Sequence, residues 1–419
     1  MARAENINPD ILIWARMSAG MSIEDAADRL GLTSSVQASA FEKLAEFESG
    51  HKFPTRTQLA RLAAVYRRPL IAFYMKQPPE QGQRGEDFRT LPGAASAREN
   101  AMLDALLRDI RARQEMVKSL LEDEEETRSL AFVASASMND GVHAVAKKIA
   151  DALHFSPTEQ RGRTRSPDDL FRELRNRTEQ AGVFVLLIGD LGSHHSAISE
   201  RVFRGFAIAD KTAPFVVIND QDSRSARSFT LMHELAHIWL GETGVSGGPD
   251  TTAPMTWGGR VEQFCNDVAG ELLLPADIFK QQPEDLRGDN KESASRLIQA
   301  LAAAWSVSEP MVAFKFHRLG WITPIVFREL NQDYAARWQS LKQREKEKAK
   351  EREGGPSYYT VKQFKLGNAL LDVVGRTLRN NDLTHTKAAK VLGVKPSSVD
   401  PLLRRLEVSR GAFSPDLRR

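Results

Sequence analysis

The sequence predicts an α+β fold: a small mixed β-sheet beside one buried helix of metal-binding type, flanked before and after by all-α, helix-turn-helix-like modules. Three observations predict it. Three short strand-like runs cluster between residues 183 and 219, the first of them, 183–188, apolar, β-branched and flanked by glycines. Directly after them, Arg227–Leu240 is apolar on nearly every side yet contains His233-Glu234-Leu235-Ala236-His237. Outside 140–282 the chain alternates between helical spacing and charged connections.

Length and composition bound the answer. A chain of 419 residues suggests two to four domains with ample core. Apolar content of 41% and charged content of 27% are ordinary for a soluble protein. The single cysteine, Cys265, excludes a disulfide within the chain and a cysteine-only zinc cluster. No run of eighteen apolar residues exists, and no signal-peptide core follows Met-Ala-Arg-Ala-Glu-Asn. The expected setting is cytoplasmic, without a membrane partner.

Residues 1–76 read as a helical domain. Ile11, Trp14, Ala15 and Ser18 mark one face of a first helix, and Ser22, three residues before Asp25, caps a second. A third pattern covers 36–48. After Gly50 and Pro54, Leu59, Leu62, Ala63 and Tyr66 recur at i, i+3, i+4 and i+7. The third helix offers Glu42, Glu46 and Glu48 against Lys43 alone. Over residues 1–80, ten Lys/Arg face nine Asp/Glu, a net of +1. A DNA reader carries a basic footprint, so docking and DNA binding are both compatible with this domain. Residues 77–139 form a linker and a connecting helix. Pro, Gly and charge fill 77–93, with Phe88 tying that stretch to a neighbour, and 97–128 is helical with Leu103, Leu106, Leu107, Ile110, Met116, Leu120 and Leu121 as its apolar positions.

Residues 140–282 hold the chemistry. Helices near 142–154 and 167–181 precede strands at 183–188, 202–209 and 215–219. In the helix that follows, residues four apart share a face, so His233 and His237 reach one metal ion. Glu234 points beside that ion, where a bound water sits; this is the arrangement of a zinc-dependent hydrolase. Two histidines and a glutamate inside an apolar helix need partners, and a metal supplies them. The glycine-rich stretch 241–259 is either a lid or a plain connection. A helix over 261–275, stopped by Pro275, then presents Glu262 as the candidate third ligand of a His2Glu set. Its alternative role is a helix-start carboxylate favoured by the dipole. Asn266, one turn on, is placed to hold the outer ring nitrogen of a ligating histidine. Glu271 is on another face and ranks below Glu262, and Cys265 reads as packing. His194 and His195 are either transition-state stabilisers or solvent-facing loop residues.

Residues 283–330 form a small helical cap and 331–355 a charged helical spacer, with a mixed-charge helix over 333–353 that ends at Gly354-Gly355-Pro356. The tail, 356–419, is a basic helix-turn-helix-like module with twelve Lys/Arg against five Asp/Glu, a net of +7. Thr384 opens one helix, Gly393 turns the chain, and a second helix follows Pro396. Lys395, Ser397, Ser398, Arg404 and Arg405 are the candidate nucleic-acid contacts; a protein-docking or dimerisation module fits the same residues.

Two resemblances follow from these residues. Ala15-Arg16, Gly20-Met21-Ser22, Ala26-Ala27, Glu48-Ser49-Gly50 and Pro54-Thr55 resemble helix-turn-helix domains of the phage-repressor (Xre) type. Arg204-Gly205-Phe206, 215–219, the His233 helix and the stretch from Glu262 to Pro275 resemble the ImmA/IrrE zinc metallopeptidases, whose members commonly carry a repressor-type domain in front. Ala236 stands where that family often has Gly. The resemblance implies a zincin-like core with Glu262 as third ligand, one Zn2+ per chain, a substrate strand added along 202–208, and cleavage of a partner repressor or antitoxin. In that expectation His233, His237 and Glu262 hold the metal and Glu234 is the general base. The rival readings are a DNA-binding regulator with an idle core and a toxin- or antitoxin-like interaction protein; a homodimer is compatible with each.

Overall fold

Four short strands form one mixed sheet in the order β1-β3-β2-β4: β1 (Phe184–Leu187), β2 (Gly205–Ile208), β3 (Phe215–Ile218) and β4 (Val245–Ser246). β1 runs parallel to β3, while β2 is antiparallel to both β3 and β4. The computed structural model describes residues 3–32, 39–78, 96–123, 129–192, 196–243, 245–246, 256–279, 283–286, 290–351, 355 and 357–411. The expected roles of Phe88, of His194 and His195, and of most of the 241–259 stretch lie outside the described residues. The chain divides into two compact units, 1–110 with 190–202, and 111–189 with 203–419.

The first unit is built from α1 (Pro9–Ser18), α2 (Ile23–Leu30), α3 (Ala40–Glu48) and α4 (Arg56–Tyr66). Each start is capped locally. Asn8, Ser22, Ser39 and Thr55 accept from backbone N–H groups of the first turn, and Ser39–Glu42 and Thr55–Gln58 are reciprocal capping boxes. Ile11, Leu12, Leu44, Leu59, Leu62, Tyr66 and Phe73 share the core. Of the acidic residues expected on α3, Glu48 is taken into the unit while Glu42 and Glu46 stay at its surface. Glu48 is buried and accepts from Arg16 Nε and Nη2 at 2.7 and 2.9 Å. Glu42 caps its own helix, and Glu46 pairs with Lys52 at 2.7 Å. Glu48 alone departs from a surface reading, because its partner Arg16 lies 32 residues away in sequence.

α5 (Ala97–Glu122) crosses the boundary in the chain between the two units. In the second unit α6 (Val142–Ala152), α7 (Pro157–Gln160) and α8 (Pro167–Gln180) precede β1. α9 (Arg227–Leu240) follows β3, and α10 (Trp257–Leu273) lies against it in one core with Val185, Val216, Leu231, Leu235, Trp239, Val268 and Leu272. α10 starts at Trp257 rather than 261, because Thr256 caps it by accepting from Gly259 N; the two glycines read as loop are first-turn residues. The strand expected over 202–209 is hydrogen-bonded only at Gly205–Ile208, and β4 covers one edge of it at Gly205 and Phe206. β2 is therefore not the free edge anticipated for substrate.

α11 (Lys291–Trp305) and α12 (Glu309–Arg318) complete the core, and α13 (Pro324–Glu351) begins well before the expected 333, on a proline at its first position. The chain closes with α14 (Tyr358–Leu366), α15 (Asn368–Arg379), α16 (His385–Leu392) and α17 (Val399–Gly411). The helix–glycine–helix order of the tail is present: Thr384 caps α16 and Gly393 is left-handed with φ 60°. The sequence boundaries at 140, 283, 331 and 356 nevertheless all fall inside one compact unit. The join is chemical. Wholly buried Arg175 on α8 donates to the carbonyls of Val185 and Phe364, and its neighbour Glu179 accepts from Asn368 N and Ala369 N at 2.9 and 3.2 Å. Gly367 admits that carboxylate: its φ is +78°, and a Cβ there would lie 2.2 Å from Glu179 Oε1. Among the described residues no single helix is long and apolar enough to cross a membrane.

Candidate metal centre

α9 is buried along almost its whole length, and Gly241 ends it in the left-handed conformation. It presents no exposed polar face, so His233, Glu234 and His237 must find their partners inside the core. His233 and His237 are 3% and 2% exposed and Glu234 is 0% exposed. Their spacing of four turns both imidazoles the same way, and the two Nε2 atoms stand 3.1 Å apart. α10 supplies the third group. Glu262 sits in its second turn and aims its carboxylate at both rings, Oε2 3.2 Å from His233 Nε2 and Oε1 3.1 Å from His237 Nε2.

This donor set fits a zinc ion. Two imidazole nitrogens facing one another inside a protein repel unless a proton or a cation lies between them, and the carboxylate adds the counter-charge. Tetrahedral zinc with bonds of about 2.0–2.1 Å holds its ligand atoms roughly 3.3 Å apart, close to the spacings here. Among the described residues, His233, His237 and Glu262 are the group of three whose ligand atoms lie within 4.8 Å of one another. Burial would raise the Glu262 carboxyl, but the two histidines hold it well below the usual carboxylate range. Burial works against a charge on His237, yet Cys265 and Glu262 outweigh it and raise its pKa.

The surroundings correct two sequence expectations. Asn266 does not hold an outer ring nitrogen: neither His233 Nδ1 nor His237 Nδ1 has a hydrogen bond of ordinary geometry. The side chain against His237 is Cys265, whose thiol burial pushes up. Positions 265 and 266 both lie about one turn from Glu262, and it is 265 that meets the ring. Cys265 is thus part of the site's lining as well as core. Glu271 is not a ligand, as its ranking implied. It pairs with Lys315 Nζ at 2.6 Å and accepts from Ala276 N. Lys395, Ser397, Arg404 and Arg405 are exposed and Ser398 half-buried, on the turn before α17 and on α17 itself.

One contributor escaped sequence reading. A Cβ at Gly205 would lie 2.6 Å from Glu234 Oε1 and 2.7 Å from Thr230 Cγ2. The Glu234 carboxylate therefore rests against the backbone of β2, in space that only glycine leaves open. A glycine within the expected strand 202–209 is the signal that points to such close approach. Where Glu234 serves as a catalytic group beside a metal held here, Gly205→Ala should leave metal content unchanged while cutting turnover roughly tenfold to a hundredfold, since small misplacements of such a group cost that much. Metal analysis alongside a cleavage assay checks this; full activity in the variant would show that Glu234 needs no such seat.

Residues 190–317 match the model of a peptidase family described as the IrrE N-terminal-like domain. The matched span contains all four residues of the site. No curated protein and no solved structure matched the chain.

Proposed function

We propose that the chain is a zinc-dependent endopeptidase that cleaves one partner protein, a helix-turn-helix repressor or antitoxin. The observation that carries the reading is the convergence of His233, His237 and Glu262 on one point, with the Glu234 carboxylate on the same helix turn. When bound, zinc supplies a polarised scissile carbonyl and a water acidified towards neutral pH. The protein's own residues do the rest. His233 and His237 offer neutral nitrogens, and Glu262 supplies one negative charge. Glu234 takes the proton from the attacking water on its carboxylate and hands it to the departing amine. Gly205 leaves that carboxylate room against β2. Buried Leu235, Ile238 and Trp239 hold the helix in place.

The partner class rests on resemblance and on restriction. A protease acting on any chain would damage its host, so access must be narrow, and an Xre-like front domain suits pairing with a repressor. Docking there raises the substrate's effective concentration at the metal, so a weak active-site preference suffices. The exposed Lys395, Arg404 and Arg405 support DNA contact by the tail as a second activity, one that weakens with salt. The test is to incubate the purified protein with the products of neighbouring genes, with and without zinc, and to weigh the fragments. One partner cut at one or two bonds only with zinc is expected, with unfolded casein cut poorly. Efficient casein digestion would overturn the narrow specificity.

A further inference from the structure

A cavity of about 390 Å³ opens in the unit that holds the metal centre, between α8, α14 and the first turn of α9. Its place in the sheet is telling. Leu187 ends β1 and Asp220 lies just past β3, so the cavity sits outside the carboxyl ends of the two parallel strands. In open parallel sheets the carboxyl ends of the strands are where ligands bind, and this one parallel pair presents the same end to the cavity. Arg172, Arg224, Arg227 and Lys365 line it against Asp168 and Asp220. The acids are engaged: Asp220 pairs with Lys365 at 2.6 Å and Asp168 with Arg224 at 3.4 Å. Arg172 is offset from outside the lining by Asp169 at 3.1 Å, so four cations against these three acids leave a surplus of one positive charge.

Arg227 decides what that surplus is for. It is the first residue of α9, only 8% exposed, and lines the cavity. Its Nη2 donates to the backbone carbonyl of Asp220 at 3.3 Å, and its buried Nε has no hydrogen-bond partner. A buried guanidinium with an unused donor is costly unless an acceptor arrives. Burial lowers the pKa of this group, in keeping with an under-compensated charge. The lining is also partly apolar: Phe171 and Leu187 are buried, and Phe364 on α14 is 48% exposed, with the Arg175 guanidinium 5.8 Å from its ring centre.

We propose that this cavity binds a small organic oxyanion carrying a flat apolar body, the oxyanion held by the Arg227 fork and the body laid between Phe171 and Phe364. The volume suits a small metabolite, and a planar guanidinium grips a carboxylate or phosphate through two parallel hydrogen bonds. A ligand there rests on the first turn of the helix that carries His233 and His237, and touches α14 at the same time. The inference stands whether or not the metal centre is a peptidase.

The experiment is calorimetric titration of the full-length protein with three probes: phenyl phosphate, inorganic phosphate and phenol. Phenyl phosphate should bind one per chain and at least tenfold more tightly than either fragment. Arg227→Lys, which keeps the charge and loses the fork, should weaken it at least tenfold. Phe364→Ser, its fold checked by circular dichroism, should erase the advantage of phenyl phosphate over inorganic phosphate. Equal binding of the three probes, unchanged affinity in Arg227→Lys, or an advantage that survives Phe364→Ser would each overturn the proposal.

Discussion

Glu234→Gln is expected to keep one zinc per chain and to lose about 10²–10⁴-fold in turnover, the range that a positioned general base contributes. The reasoning is geometric. Glu234 is fully buried on the ligand helix, but the group of ligand atoms that converge is His233, His237 and Glu262. An amide fills the same space beside Gly205 and cannot take a proton. His237→Ala is the counterpart. It removes one of three donors and should empty the site, taking activity with it. Zinc content by mass spectrometry and fragment formation from the partner read the two effects separately. If Glu234→Gln lost its metal, or retained full turnover, the division of labour between Glu234 and Glu262 would be wrong.

Arg175→Met is expected to destabilise the second unit by about 3–5 kcal/mol, the usual cost of leaving one member of a buried ion pair alone. Arg175 and Glu179 each have side chains 7% exposed and meet at 3.0 Å. Burial lowers the pKa of Arg175 and raises that of Glu179 in spite of their attraction. Desolvation thus outweighs the pairing, and the pair is held because each member has further work: Arg175 binds the α14 carbonyls and Glu179 caps α15. Removing the arginine alone strands a buried carboxylate. Arg175→Met combined with Glu179→Gln, which keeps a capping acceptor without the charge, should recover part of the loss. Denaturant unfolding of the three proteins checks the order, and a single variant as stable as the parent would contradict it.

The parts of this molecule that were legible in sequence are those encoded by neighbours. The α9 ligands follow from a spacing of four within an apolar run, and Glu262 from the start of the next helix. Ser22, Thr384 and Gly393 act as caps and turn where their local patterns place them. What was illegible depends on contacts across the chain. Asn266 was chosen by helical phase alone, and phase cannot say that Cys265 is the residue facing His237. Glu48 on α3 looked like surface until Arg16 came to it. The tail looked detached because nothing local reports that Arg175 reaches Phe364, 189 residues away. Gly205 was visible only as one letter of a resemblance; its function lies in the space beside it, which belongs to Glu234.

The central claim is that His233, His237 and Glu262 together hold zinc, and X-ray absorption at the zinc edge of the purified protein tests it most directly. The account predicts one zinc per chain with a nitrogen and oxygen shell at about 2.0–2.1 Å and the outer-ring scattering of two imidazoles. A sulfur neighbour at about 2.3 Å, which would bring Cys265 into the ligand set, or a protein that takes up no stoichiometric zinc, would contradict it.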